Sequence, residues 1–189
     1  MTVWYTSDLH FGHQLVAGER GFGSPSAHDL KLISNWNKLV ADDDLVWVLG
    51  DISIRPQFLH SVRFLSGRKQ LITGNHDQVF PMHRDAYKHQ PEWLKYFESI
   101  QPFARRKAAG VEFLMSHFPY SADSKDVVRF SQYRLKDEGM LLVHGHLHVP
   151  EKVHPDRPRQ VHVGLDAWDL KPAKEDDVLD LLTLTVPMV

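Results

Sequence analysis

The fold is decided by the stretch LVWVLGD at residues 45–51, five consecutive apolar residues followed by a glycine and a carboxylate. A short, continuous apolar run bounded by a turn residue is typical of a strand that is buried on both faces. Two further strands, Thr2 to Ser7 and Gln70 to Thr73, are predicted on either side of it. Helix-period segments separate the three runs, so the sequence predicts a layered α/β domain.

The segments between these strands predict helices. Ser26 is the predicted N-cap of a helix that runs to about Val40, with Leu30, Ile33 and Trp36 on its buried face. A short helix is predicted from Pro56 to Leu65, and Pro81 to Ile100 has a helical pattern that Pro91 breaks. Later strands are predicted at Val111 to Met115, Met140 to Val143 and Gln160 to Val163, whereas Pro172 to Leu182 fits either a helix or a strand.

Composition restricts the class of protein and of site. A chain of 189 residues is long enough for one full core, so we expect a single domain over residues 1–189. The absence of cysteine excludes disulfides, zinc thiolate sites and cysteine nucleophiles. The net charge of -2 selects no nucleic-acid partner, and no apolar stretch approaches the ~20 residues of a membrane span. We therefore expect a cytoplasmic protein without a membrane partner.

Polar side chains with ligand or acid–base chemistry follow five of the predicted strands. The carboxyl ends of strands are where α/β sheets bind ligands, and oxygen and nitrogen donors gathered there can hold cations. A carboxylate after a buried strand is costly unless a cation meets it, so turn chemistry alone does not explain the pattern. The segments are Asp8-Leu9-His10, Gly50-Asp51, Gly74-Asn75-His76-Asp77, Ser116-His117 and Gly145-His146-Leu147-His148.

These segments, in this order, resemble the signature of the calcineurin-like metallophosphoesterase superfamily, and the short chain resembles its small bacterial or phage members. The resemblance covers about Val3 to Trp168 and implies a β-sandwich flanked by helices, in four layers (αββα). It implies two divalent metal ions and a water activated between them, with Asp51 bridging both ions. The first ion would be held by Asp8, His10, Asp51 and His148, and the second by Asp51, Asn75, His117 and His146. His10 and His148 should each donate their other ring nitrogen to an acceptor.

The resemblance also implies a catalytic role for His76, as the general acid that protonates the leaving oxygen, with Asp77 as its orienting partner. Nitrogen and oxygen ligands suit manganese, our first expectation, and also iron, zinc or nickel.

Several other residues have two interpretations. His13 contacts the substrate or a metal ligand, or it is an ordinary loop residue; Arg55 contacts a phosphate oxygen or begins a helix in solvent. His162 follows a strand at the same edge and is a candidate substrate contact, whereas the strand period favours a core role for His144. The basic run 105–107 fits a charged hairpin edge better than a nucleic-acid site. Residues 119–138 are our hypothesis for a substrate-contacting loop.

The expected activity is hydrolysis of phosphodiester bonds in small, including cyclic, nucleotides. The substrate partner would then be a small phosphate ester, and no obligate nucleic acid is expected. Phosphomonoester hydrolysis and nuclease activity on the same site are alternatives, and a protein-binding scaffold without catalysis is a third. A scaffold would be expected to lack ligands or the His76 equivalent, whereas every position is filled here.

Overall fold

The computed structural model describes residues 1–121, 123 and 129–185 of the chain. Within this part, nine strands form two sheets. The strands are β1 (Val3–Thr6), β2 (Leu45–Val48), β3 (Arg68–Ile72), β4 (Ser99–Gln101), β5 (Phe103–Ala108), β6 (Val111–Ser116), β7 (Leu141–His144), β8 (Gln160–His162) and β9 (Ala173–Lys174). The α-helices are α1 (Gln14–Glu19), α2 (Pro25–Asn37), α3 (Ala86–Trp93) and α4 (Glu175–Leu184), and 3-10 helices cover Pro56–Phe64, Ser131–Tyr133 and Leu165–Ala167.

The first sheet has the strand order β4-β3-β2-β1-β9. Its first four strands are parallel, and β9 runs antiparallel to β1. The second sheet has the order β5-β6-β7-β8, in which β5 and β6 form an antiparallel hairpin and β6, β7 and β8 are parallel. The predicted architecture of two sheets flanked by helices is therefore confirmed.

The core has two parts because residues on the central strands alternate between the two faces of the first sheet. Val46 and Val48 of β2 pack with Trp36 of α2 on the helical side. Trp47 of the same strand lies on the other side, in a cluster that contains Phe113 of β6. Both faces of β2 are covered, which is why its sequence is apolar throughout.

Two helix predictions need correction. The N-cap of α2 is Ser24, whose hydroxyl accepts the Ala27 N–H, and not Ser26. The buried residues of α2 are His28, Leu32, Asn35 and Trp36, whereas Leu30, predicted on the buried face, is 66% exposed. The face of α2 that packs on the sheet is decided by tertiary contacts. It includes two polar side chains with hydrogen-bond partners, and a search for apolar periodicity does not find such residues.

Two further regions, Pro81 to Ile100 and Pro172 to Leu182, need comment against the sequence predictions. Pro91 lies inside α3, which ends two residues later, and Ile100 belongs to the edge strand β4 instead of a helix. The undecided region Pro172 to Leu182 contains both alternatives, because β9 leads directly into α4. The predicted charged hairpin edge at 105–107 is confirmed: β5 is an edge strand, and Arg105 pairs with Glu112 on β6.

No helix among the described residues is long and apolar enough to cross a membrane.

Candidate metal centre

The polar segments come together because the strand ends of the two sheets face one another. The loops after β1 and β2 continue to pair, since the Asp8 N–H donates to the Gly50 carbonyl at 3.0 Å. The loops after β6 and β7 also continue to pair, since the Gly145 N–H donates to the backbone carbonyl of His117 at 3.0 Å. Ser7, just beyond β1, forms a bridge with Gly164 after β8 and so joins the two sheets. The site thus lies between the strand ends of two sheets, whereas the sequence suggested the strand ends of a single sheet.

Five of the predicted metal ligands have positive φ angles, which are uncommon for residues other than glycine. Ten non-glycine residues in the described part of the chain have such angles, so half of them lie at this site. Backbone conformations of this kind cost free energy and persist where the surrounding structure enforces them, often at functional sites. The five residues are Asp8 (63°), His10 (48°), Asp51 (56°), His146 (76°) and His148 (48°).

Two motif glycines are required by close packing at the same loops. A Cβ on Gly74 would lie 2.3 Å from Oδ1 of Asp51, and a Cβ on Gly145 would lie 1.9 Å from Oγ of Ser7 and 2.9 Å from Oδ2 of Asp8. Any larger residue would push these carboxylates away. The glycines therefore set the spacing of the site.

The first donor set contains Asp8, His10 and His148, whose nearest donor atoms all lie within 4.8 Å of one another. Nε2 of His10 is 3.0 Å from Nε2 of His148, and the latter is 3.8 Å from Oδ1 of Asp8. The other Asp8 oxygen accepts the backbone N–H of His146. Two imidazole nitrogens and one carboxylate oxygen thus converge on one point.

The second donor set contains Asp51, His117 and His146, also within 4.8 Å. Nε2 of His117 lies 3.2 Å from Nδ1 of His146 and 3.2 Å from Oδ1 of Asn75. The Asn75 amide oxygen, predicted as a ligand, therefore joins this set.

Asp51 lies between the two sets. Its Oδ2 is 3.5 Å from Nε2 of His117 and 3.6 Å from Nε2 of His10, while Oδ1 accepts the His76 N–H at 3.0 Å. Burial alone would raise the pKa of this carboxyl, but His117 and His10 lower the pKa well below its ordinary value. One ionised carboxylate therefore faces both sets, as a residue shared by two cations must.

The pKa values of His10 and His146 are lowered, whereas those of His117 and His148 are raised by neighbouring carboxylates. Burial lowers the pKa of His10 to about 3, and burial together with His117 lowers the pKa of His146 to about 4, so both rings are neutral at pH 7 and offer lone pairs. The pKa of His117 rises to about 9 because the pull of Asp51 outweighs burial. Oδ1 of Asp8 is buried and lacks a hydrogen-bond partner among the described residues. A cation held by the second donor set would replace the His117 proton, and a cation held by the first set would satisfy the Asp8 oxygen.

Comparison with known proteins decides the family. Residues 1–173 match the model of the calcineurin-like phosphoesterase superfamily domain. The chain belongs to this superfamily.

The relatives of the chain include phage proteins of similar length. It is 44% identical over 186 residues to the gene 66 protein of Mycobacterium phage D29, covering 92% of each chain. It is 40% identical over 196 residues to the gene 66 protein of Mycobacterium phage L5, covering 95% of this chain and 93% of the relative. Among solved structures, a protein of unknown function from Aquifex aeolicus matches with a TM-score of 0.69 at 21% identity, over 95% of this chain and 98% of its own. That last match concerns the fold alone.

Two carboxylates that sequence reasoning missed orient histidines of the donor sets in this calcineurin-like phosphoesterase. Nδ1 of His148 lies 3.0 Å from Oδ2 of Asp166, and Nε2 of His146 lies 3.1 Å from Oδ1 of Asp123. Carboxylates in this position fix the ring and its tautomer. Asp166 is itself held by Arg20, which donates to both its oxygens at 2.8 Å and to the Asp8 carbonyl at 2.9 Å.

Sequence spacing gives little sign of these partners. Asp166 follows β8 at the same edge, which could have suggested it, but nothing in the sequence joins it to Arg20. His148 has the acceptor that we expected for its other ring nitrogen, namely Asp166. The same prediction is wrong for His10, because its buried Nδ1 has no partner among the described residues. His117 instead bonds the Leu49 carbonyl through Nδ1, at 2.7 Å.

His76 and Asp77 are neighbours with different surroundings. Nε2 of His76 lies 3.9 Å from Oδ2 of Asp51, and its side chain is 42% exposed, so this ring borders both the donor sets and solvent. Asp77 is fully buried and accepts the N–H groups of Asp51, Ile52 and Gly74. The prediction that Asp77 orients His76 is therefore wrong: its oxygens instead fasten the loop after β2 to the loop after β3. Burial and the Asp51 charge raise its pKa to about 7.

The remaining candidates lie around the site. The His13 ring is 5.7 Å from the His10 ring, and its Nδ1 accepts the Val16 N–H as the N-cap of α1. Arg55 is exposed and precedes the 3-10 helix Pro56–Phe64. His162 is buried and stacks on His144 with ring centroids 5.4 Å apart, and its role as a substrate contact stays a prediction. His144 is a core histidine, as the strand period predicted.

The loop hypothesis for residues 119–138 falls partly outside the described residues, at 122 and 124–128. The described part reaches the site through Asp123, which also pairs with Arg129 and Arg134.

Proposed function

We propose that this chain hydrolyses phosphodiester bonds of small nucleotides, including cyclic ones, with two divalent cations. The observation that carries the proposal is the position of Asp51. One buried carboxylate lies between two donor sets, and the half-exposed His76 ring stands beside it. A site kept only for structural metal has no need of an exposed ring at that place.

The donor sets name the residues that would hold the metals: Asp8, His10, Asp51 and His148 for one, and Asp51, Asn75, His117 and His146 for the other. When bound, such a metal pair activates a water molecule and neutralises charge on the phosphate. Manganese is our first expectation, and iron, zinc or nickel suit the same donors. Half-buried Asp166 and Asp123 hold the ligand rings in place, and Asp77 fixes the separation of the loops that carry Asp51 and Asn75.

His76 supplies the proton in this proposal. Cleavage of a phosphoester leaves an alkoxide, which needs a proton from a positioned acid. The Nε2 atom of His76 faces the space beside Asp51, and its exposure lets it regain a proton from solvent. We infer that His76 protonates the leaving oxygen.

Small phosphodiesters are favoured because the described residues are taken up by the two sheets and their helices. Little room is left among these residues for a separate cap that recognises a protein substrate. The net charge of -2 gives no general attraction to a polynucleotide. We therefore propose a small phosphate ester as partner, without membrane or nucleic acid, and a cytoplasmic site of action.

Hydrolysis assays with paired substrates test this proposal. Metal-stripped protein would be supplied with manganese and given bis(p-nitrophenyl) phosphate and p-nitrophenyl phosphate. The comparison would include Asn75→Ala and His76→Ala, with His89→Ala as a control because His89 lies on α3 and makes none of the site contacts. We expect activity to require metal and the diester to be preferred over the monoester. His76→Ala should bind manganese normally but lose about 10²- to 10⁴-fold in kcat on cyclic adenosine monophosphate, whose leaving alkoxide needs a proton, and much less on the p-nitrophenyl diester, whose leaving group does not.

Each contrary outcome has a clear meaning. A preference for the monoester would make the chain a phosphatase on the same site, and faster cleavage of polynucleotides would make it a nuclease. If wild-type protein loaded with two metals per chain turned over none of these substrates, a binding scaffold would replace the enzyme hypothesis.

A further inference from the structure

A cavity of about 580 Å³ opens next to the first donor set. It lies between the segment Phe11 to Leu15, which leads from His10 into α1, and the segment Ile54 to Phe58, which follows Asp51. Each segment thus follows a residue assigned to the metals, directly after His10 in one case and three residues after Asp51 in the other. The ring of His13, which lines the cavity, has its centroid 5.7 Å from that of the His10 ring. This volume is in the range of pockets that hold small organic ligands.

The walls of the cavity are mostly apolar, although it borders a highly polar site. Phe11, Leu15, Pro25, Ile54 and Phe58 line it. Leu15 is 65% exposed and Ile54 is 39% exposed. Large apolar side chains left open to water beside a ligand site commonly mark the surface that the ligand covers. An inorganic phosphate or a bare sugar would leave them uncovered.

Three polar side chains stand among these walls: His13, Gln14 and Arg55. Gln14 offers an amide with both donor and acceptor groups, and Arg55 offers a cation that suits phosphate oxygens. A purely aliphatic chain would make no hydrogen bond with the Gln14 amide. A planar heteroaromatic ring can pack its faces against the apolar walls and form hydrogen bonds with the Gln14 amide through the polar atoms at its edge.

We propose that this cavity binds the nucleobase of a nucleotide substrate, with Phe58 and Leu15 against the ring, Gln14 at its edge and Arg55 toward the phosphate. The inference rests on the proposed function, because it assigns the organic group of the ester whose phosphate faces the two donor sets. It adds a specificity site that the metal centre itself does not require.

Equilibrium binding tests the assignment without relying on turnover. Adenosine 5′-monophosphate and ribose 5-phosphate carry the same phosphate and sugar and differ by the base. Calorimetry would measure both on wild-type protein, metal-free and manganese-loaded, and on Gln14→Ala and Leu15→Asp. An acidic residue in the first turn of a helix is favourable, so Leu15→Asp should fold. Leu30→Asp is the matched control, because Leu30 is 66% exposed on α2 and does not line this cavity.

We expect wild-type protein to bind the nucleotide at least about tenfold more tightly than ribose 5-phosphate, the effect of stacking one base. The ratio should fall to within about twofold of one in Leu15→Asp, fall partly in Gln14→Ala, and be unchanged in Leu30→Asp. Equal affinities in the wild type, or equal effects of Leu15→Asp and Leu30→Asp, would overturn the assignment.

The failures of the two proposals are distinguishable. Metal-dependent hydrolysis of bis(p-nitrophenyl) phosphate without preference for the base would leave the phosphodiesterase standing and remove the nucleobase site. A base preference that depends on Leu15, in a protein that hydrolyses no ester, would support the cavity assignment and overturn the enzyme.

Discussion

Asp166→Asn is the substitution that separates support of the metal centre from metal ligation itself. The Asp166 carboxylate accepts two bonds from Arg20 at 2.8 Å each and one from His148 at 3.0 Å, and it lies outside both donor sets. Asparagine keeps the shape but has one oxygen, so its NH₂ group must face a donor of Arg20 or His148.

The expected cost follows from these contacts. Oδ2 accepts from both Arg20 and His148, so asparagine with its oxygen at that position loses the charge-assisted bond from Nε of Arg20, and its neutral oxygen weakens the other two. Such bonds are worth about 1.5–3 kcal/mol each when buried. The Asp166 side chain is 18% exposed, so solvent recovers part of this, and we expect a loss of about 2–4 kcal/mol in the free energy of unfolding. Metal affinity should fall about 10- to 100-fold, as for other changes to the partner of a ligand histidine.

The pH dependence of the loss has a defined sign. Burial would raise the pKa of Asp166, but Arg20 and His148 hold it well below its ordinary value. A carboxyl with a lowered pKa stabilises the folded protein fully above about pH 4 and loses that effect as the pH falls through the folded-state pKa. The difference between wild type and Asp166→Asn should therefore shrink below about pH 4. It should also shrink as the pH rises above about 6.5, because burial alone would lower the pKa of His148 but Asp166 helps to raise it.

Urea denaturation of metal-free protein and calorimetric titration with manganese measure the two effects separately. Asp169→Asn is the matched control, since Asp169 is exposed, three residues away, and at a positive φ that asparagine also tolerates. If Asp166→Asn changed manganese affinity by less than twofold while destabilising the protein, the carboxylate would be only a structural partner of Arg20. Unchanged stability and affinity together would refute the argument.

Three further outcomes are expected. Gly145→Ala places a Cβ 1.9 Å from Oγ of Ser7, so we expect a loss of about 1–3 kcal/mol by urea denaturation together with weaker manganese binding; normal values for both would contradict the packing argument. Asp44 accepts hydrogen bonds from the N–H groups of Thr2 and Ala41 and from Nε1 of Trp4, and these bonds lower its pKa. Asp44→Asn should therefore lower the free energy of unfolding by about 1–2 kcal/mol at pH 7 and by progressively less below about pH 4, as measured in thermal unfolding scans. Removal of metal with a chelator should lower the melting temperature, because a ligand at 100 times its Kd stabilises by about 2.7 kcal/mol; no shift would argue against tight metal binding.

The sequence by itself predicted the fold class, most strands and the segments that carry the site chemistry. It could do so because a strand buried on both faces must be apolar, and a carboxylate or histidine directly after it breaks that pattern. The motif residues then lie at strand ends whatever the packing of the helices. The gathering of Asp8, Asp51, Asn75, His117 and His148 near one place needed only that ligand sites form at such ends.

The partners of these residues needed the tertiary structure. Asp77 adjoins His76 in sequence but bonds backbone groups of Gly74, Asp51 and Ile52. Adjacent residues share a peptide, which does not fix where their side chains point.

The remaining features depend on how the two sheets face each other. Arg20, Asp166 and His148 are separated by as many as 146 residues and meet only because Ser7 bridges to Gly164 across the sheets. The cavity beside His13 likewise arises where the segment after β1 packs on the segment after β2. Local periodicity and turn chemistry determine which residues leave each strand, whereas contacts between distant segments depend on the packing of whole layers, and only the folded chain decides them.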